Sequence, residues 1–146
     1  GVGRRLERLA SDQQFELVDD YGHHPTEVAA TLGAVVDSRD QKPIVIFEPH
    51  RYSRTKLCWN QFIECFDHAK EVHLCQIYPA SEAPIAGITS SALCAAINAR
   101  GKVKCHLIEN KESLFSKIDE LKQKQDVSLG AGSIGKNVRE WVKLRE

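Results

Sequence analysis

Pro43-Ile44-Val45-Ile46-Phe47 is a continuous apolar run. A strand that is apolar toward both sides must be covered on both faces, the habit of parallel sheets flanked by helices. Similar runs recur at Val72-His73-Leu74-Cys75-Gln76-Ile77-Tyr78, at Val103-Lys104-Cys105-His106-Leu107-Ile108 and, shorter, at Val127-Ser128-Leu129. Helical stripes alternate with them. Val28, Leu32, Val35 and Val36 recur at helical spacing, as do Cys58, Phe62, Cys65, Phe66 and Ala69. Leu93, Ala96 and Ile97 form another stripe, then Leu114, Ile118 and Leu121, and last Ile134, Val138, Trp141 and Val142. This order predicts an α/β, Rossmann-like three-layer domain, its mostly parallel sheet of about six strands covered by helices on both faces. The first two of these strands are expected as a pair closed by a short polar loop, the second member being Phe15-Glu16-Leu17-Val18.

The chemistry-bearing residues all follow strands. In such folds that is the carboxyl edge, where ligands bind. The first such junction is Asp19-Asp20-Tyr21-Gly22-His23-His24-Pro25-Thr26-Glu27. Pro25 suits the first helical turn, where a missing N–H costs nothing, and Glu27 suits the helix dipole. A plain turn would use Gly, Asn or Ser instead. His50-Arg51-Tyr52-Ser53-Arg54, Ser81-Glu82-Ala83 and Gly130-Ala131-Gly132-Ser133-Ile134-Gly135 are expected along the same rim. The helices are expected to end near Val36 and at Gly101, with Thr89 or Ser90 capping the start of the one that Gly101 stops.

One hundred and forty-six residues, 42% of them hydrophobic, suffice for one domain with a core. The formal charge of zero argues against a nucleic-acid footprint and against disorder. No apolar run approaches the roughly 18 residues of a membrane span, and no signal peptide pattern occurs. The expectation is a cytoplasmic protein with no nucleic-acid or membrane partner. Five cysteines without a CxxC pair read as reduced core thiols. A chain that starts at Gly1 and contains no Met reads as part of a longer protein.

Arg51 and Arg54, three apart at a helix start, could form a fork for a carboxylate or phosphate. They oppose the helix dipole there, so an anion would account for them better than a solvated surface does. His23, His24 and His50 lack the i, i+4 spacing of a zinc protease and have no thiol to help. No metal site is expected, and a general base or amine-positioning role suits these imidazoles better. Asp19 and Asp20 could cap a helix, accept ribose hydroxyls or steer a cation. Residues 130–135 spell G-x-G-x-x-G. The acidic residue a dinucleotide site needs about 20 positions later has no place before Glu146. What remains is a set of N–H groups able to face an anion. No ATP phosphate loop of the G-x-x-x-x-G-K-[ST] kind is present.

The order of Asp19 to Glu27, Pro49-His50-Arg51-Tyr52-Ser53-Arg54-Thr55, Tyr78-Pro79-Ala80-Ser81-Glu82-Ala83-Pro84-Ile85 and residues 130–135 resembles the carboxyl-terminal domain of the Mur ligase family, at its alanine-adding branch. Gly1-Val2-Gly3-Arg4-Arg5 is similar to the family's entry into that domain, so the likeness spans residues 1–146. The resemblance implies an ATP-dependent amide-forming ligase of bacterial peptidoglycan synthesis. The carboxylate of UDP-N-acetylmuramate becomes an acyl phosphate and L-alanine attacks it. ATP and magnesium would be held mainly by a central domain outside this chain, and the sugar nucleotide by an amino-terminal one. This domain would bring the amino acid and close the cleft, and would be inactive alone.

The resemblance further implies that Arg5 and Asp20 contact the nucleotide. Tyr21, His50, Arg51 and Arg54 would hold the amino acid, and His23 or His24 would assist loss of the amine proton. Glu82, Gly130, Gly132 and Ser133 are weaker candidates near the rim. The nearest alternative is the sister ligase that attaches a recycled tripeptide to the same sugar nucleotide. A non-catalytic nucleotide-binding module is the other. The strand at residues 126–129 is about two residues shorter than the family leads one to expect, which puts the glycine segment's register in question.

Overall fold

The computed structural model describes residues 23–145 in full and Leu6–Arg8 and Phe15–Val18 by their backbone. Arg5, Asp19, Asp20 and Tyr21 lie outside the described residues.

Six strands form one sheet: β1 (Leu6–Arg8), β2 (Phe15–Val18), β3 (Ile44–Glu48), β4 (Glu71–Cys75), β5 (Lys104–Ile108) and β6 (Ser128–Gly132), in the order β1-β2-β6-β3-β4-β5. β1 runs antiparallel to β2, and every other neighbouring pair is parallel. The expected strand pair and mostly parallel sheet are therefore present. The helices are α1 (Pro25–Arg39), α2 (Tyr52–Leu57), α3 (Trp59–Glu64), α4 (Ser90–Arg100), α5 (Lys111–Lys124) and α6 (Gly135–Leu144).

Alternation along β3 makes the three layers. Val45 and Phe47 face a core with Val28, Leu32 and Val35 of α1, Phe62 of α3 and Leu93 and Ile97 of α4. Ile44 and Ile46 face the other side, with Leu114, Ile118 and Leu121 of α5 and Val138 and Trp141 of α6. A run apolar at every position is what such a two-sided strand requires. The five cysteines are buried free thiols.

Four boundaries differ from the sequence reading. α1 continues to Arg39 and stops there, where Asp40 takes the left-handed conformation (φ 53°) and donates its N–H to Val36 O. The stripe from Cys58 to Ala69 is not one helix: Cys58 (φ −103°, ψ 21°) is the break between α2 and α3, Phe62 lies in α3, and Cys65, Phe66 and Ala69 fall at its end and in the turns that follow. β4 ends at Cys75 instead of Tyr78. The last strand is not stunted: β6 extends through Gly130, Ala131 and Gly132, so these residues are sheet and not loop. Thr89 is the cap of α4, accepting from Ala92 N at 3.0 Å, and Gly101 ends it at φ 68°.

Candidate functional site

The loops after β3 and β4 remain zipped beyond the sheet. Tyr78 N donates to Pro49 O at 2.8 Å and Arg51 N donates to Tyr78 O at 2.7 Å. That bridge sets the His50 ring against Tyr78, with centroids 5.6 Å apart, and His23 stacks on His50 at 4.5 Å. Ser133 completes the cluster, its Oγ 2.6 Å from His50 Nδ1.

Ser133 follows directly on Gly132, the register partner of Glu48 at the end of β3. Gly132 has φ 76°, and a Cβ there would lie 2.0 Å from Glu48 O. Only glycine fits. Ser133 N then donates to Glu48 O at 2.9 Å, and α6 begins two residues later. Gly132 serves this close approach to Glu48, and Gly130 lies within β6. Gly130 and Gly132 therefore lie in a strand and not in the expected loop.

His23, Glu48, His50, Tyr78 and Ser133 line a cleft of about 410 Å³ at the carboxyl edge, with Lys111, Lys136, Asn137, Arg139 and Glu140 on its opposite wall. Lys111 pairs with Glu140 at 3.0 Å. Lys136 and Arg139, three apart in the opening turns of α6, leave that wall net positive. Burial pushes the Glu48 carboxyl up to about 7. It can thus exchange a proton near neutrality. The arrangement offers hydrogen-bonding imidazoles, a titratable carboxyl and cations for an anionic ligand.

The other expected residues divide. His24 is the N-cap of α1: its Nδ1 accepts from Thr26 N at 3.1 Å, satisfying a helix-end donor. Glu82 reaches across to α2, accepting from Ser53 N at 3.0 Å and from the Ser53 hydroxyl. Those hydrogen bonds, with the nearby Arg51 charge, hold its carboxyl below the usual range. Arg51 is the N-cap residue of α2 with φ 75°, a strained conformation for arginine. Ala80 and Ser81 in the facing loop are also at positive φ. Arg51 is exposed and Arg54 half-buried, and neither lines the 410 Å³ cleft. His23, His50 and Ser133 come together; Arg51, Arg54 and Glu82 form a second group around the start of α2.

Sequence reasoning passed over Glu48, Tyr78, Lys136 and Arg139. Glu48 was legible as the first polar residue after a buried strand. Lys136 and Arg139 carried the signal used for Arg51 and Arg54, basic residues at i, i+3 near a helix start.

The fold is an α/β domain with a cleft at the carboxyl ends of its parallel strands. The chain belongs to the Mur ligase family: residues 4–134 match the family model described as Mur ligase, glutamate ligase domain. It is 41% identical, over 97% of its length, to UDP-N-acetylmuramate–L-alanine ligase of Hydrogenovibrio crunogenus. Against the enzyme of that name from Geotalea daltonii the identity is 39% over 100% of the chain. The chain spans 32% of each of these relatives. Among solved structures it resembles UDP-N-acetylmuramate–alanine ligase of Thermotoga maritima (TM-score 0.64, 20% identity, 96% of this chain and 29% of that one). It also resembles a Haemophilus ducreyi domain assigned to a UDP-N-acetylmuramate:L-alanyl-γ-D-glutamyl-diaminopimelate ligase (TM-score 0.60, 16% identity, 97% of this chain and 100% of that one). At such identities the two structures speak for the fold.

Proposed function

We propose that residues 1–146 are the carboxyl-terminal domain of a cytoplasmic, ATP-dependent ligase that joins L-alanine to UDP-N-acetylmuramate. The observation that carries this is identity near 40% across almost the whole chain to relatives bearing that one name. The side chains at the carboxyl edge, those of the cleft and those at the start of α2, supply chemistry that supports it. An amino acid brings a carboxylate that needs cations and an ammonium that must lose a proton before it can attack. ATP, with magnesium bound mainly by another domain of the same protein, supplies the phosphoryl group that activates the muramoyl carboxylate.

In this reading His50, held by Ser133 and stacked between His23 and Tyr78, orients the amino acid. Arg51 and Arg54 at the start of α2 take its carboxylate, and Tyr21 is assigned to the same amino acid from the family resemblance alone. His23, facing the cleft, assists amine deprotonation. His24 acts through the cap of α1 and is not given that role. Arg5 and Asp20 contact the nucleotide. Closure against the other domains brings the two groups of side chains to one substrate.

The test is amino-acid-dependent ADP release by the full-length protein containing this chain, with ATP, magnesium and UDP-N-acetylmuramate. Preferred turnover with L-alanine over glycine, L-serine and the recycled tripeptide is expected. Turnover with the tripeptide alone assigns the protein to the recycling reaction, and no turnover by the folded protein rejects the ligase reading.

A further inference from the structure

Away from the cleft, the sheet carries a second cluster of chemistry-bearing side chains. Glu71 opens β4, and His73, two residues on, projects from the same face. His106 is the register partner of His73 on β5, the edge strand of the sheet. The two imidazoles stack, centroids 4.9 Å apart and planes 20° from parallel. Both turn Nε2 toward one carboxylate: His73 Nε2 lies 3.2 Å from Glu71 Oε1, and His106 Nε2 lies 3.7 Å from Glu71 Oε2. The three donor atoms fall within 4.8 Å of one another.

We propose that Glu71, His73 and His106 form a binding site for a zinc-class divalent transition metal, with water completing the shell. Two imidazoles and a carboxylate are a known three-ligand zinc set. Tetrahedral bonds of about 2.0–2.1 Å put neighbouring ligand atoms roughly 3.3–3.4 Å apart. The two carboxylate–imidazole distances bracket that spacing, and the stacked rings must turn out of their near-parallel arrangement to aim both Nε2 lone pairs at one ion. His73 is buried, so its ring is held in place by the surrounding sheet and helix. The side chain of His106 is half exposed, giving the ion an entry path.

Lys117 of α5 is the competing cation. Its ammonium lies 3.8 Å from Glu71 Oε1 but 2.7 Å from Glu120 Oε2. A metal bound by Glu71 leaves Lys117 with its shorter partner, at the cost of like-charge repulsion. The bound metal clips the edge strand β5 to β4.

The experiment is a Co²⁺ titration of the metal-stripped 146-residue chain, followed by visible absorption and then displacement with Zn²⁺. One equivalent is expected to bind with tetrahedral d–d bands, and Zn²⁺ should displace it. His106→Ala and Glu71→Gln should each weaken binding by at least roughly 10-fold. Removing the competing ammonium in Lys117→Met should tighten it several-fold. His106 is half exposed, so its variant should fold, which circular dichroism checks. The proposal is overturned if no Co²⁺ binds, or if uptake survives both ligand substitutions in folded protein. Loss of uptake in His50→Ala, with His106→Ala unaffected, also overturns it.

Discussion

Replacing Glu48 with Gln keeps the shape of a partly buried side chain and removes its ionisation. In the folded chain burial raises this carboxyl from the ordinary 4.5 to about 7. Each pKa unit corresponds to about 1.36 kcal/mol, so the full rise is worth about 3 kcal/mol, and partial solvent exposure makes that an upper value. Below about pH 4.5 the carboxyl is protonated both folded and unfolded, and stability is unaffected. Between there and about pH 7 the unfolded chain releases a proton that the folded chain keeps, and stability falls. Above that range the loss is complete. Glu48→Gln should therefore match the parent chain near pH 4 and exceed it by up to about 3 kcal/mol near pH 8. Urea unfolding across this range measures the difference. A gap that stays constant with pH, or that closes as pH rises, would refute the burial argument.

Gly132→Ala should cost at least about 2 kcal/mol in urea unfolding, because its Cβ meets the Glu48 carbonyl and its φ is left-handed; a change within experimental error would remove the close-approach explanation. His24→Ala should destabilise by about 1 kcal/mol through the lost cap, while His24→Asn restores stability and leaves full-length turnover intact. Turnover lost in a stable His24→Asn protein would return His24 to the chemistry. Thr89→Ala should likewise cost about 1 kcal/mol in thermal or urea unfolding; no loss would show that the cap of α4 is dispensable.

The fold was legible because its signal is physical and local. Ile44, Val45, Ile46 and Phe47 had to be covered on both faces, and they are. Element ends were less legible where a single backbone conformation decides them. Asp40 at φ 53° caps α1 beyond Val36, and aspartate, though enriched in that conformation, adopts it too seldom to fix a helix end from sequence. The glycine segment misled for a related reason. Glycine marks a close approach, but the sequence does not say whether a phosphate or a neighbouring strand approaches. Here it is the carbonyl of Glu48. The pairing of His50 with Ser133, 83 residues apart, was beyond any pattern along the chain because it depends on the register of β3 against β6. The metal-ligating cluster was hidden in the same way, since His73 and His106 meet only across paired strands.

The central claim is that the carboxyl edge of this sheet presents the amino acid to the reacting carboxyl. The measurement that tests it most directly is a steady-state comparison of the full-length protein with its Arg54→Ala and Ser133→Ala variants. KM would be determined separately for L-alanine and for ATP. The account predicts KM for L-alanine raised at least roughly 10-fold in Arg54→Ala and less in Ser133→Ala, with KM for ATP little changed. Wild-type KM for L-alanine in both folded variants, or a rise confined to ATP, would contradict it.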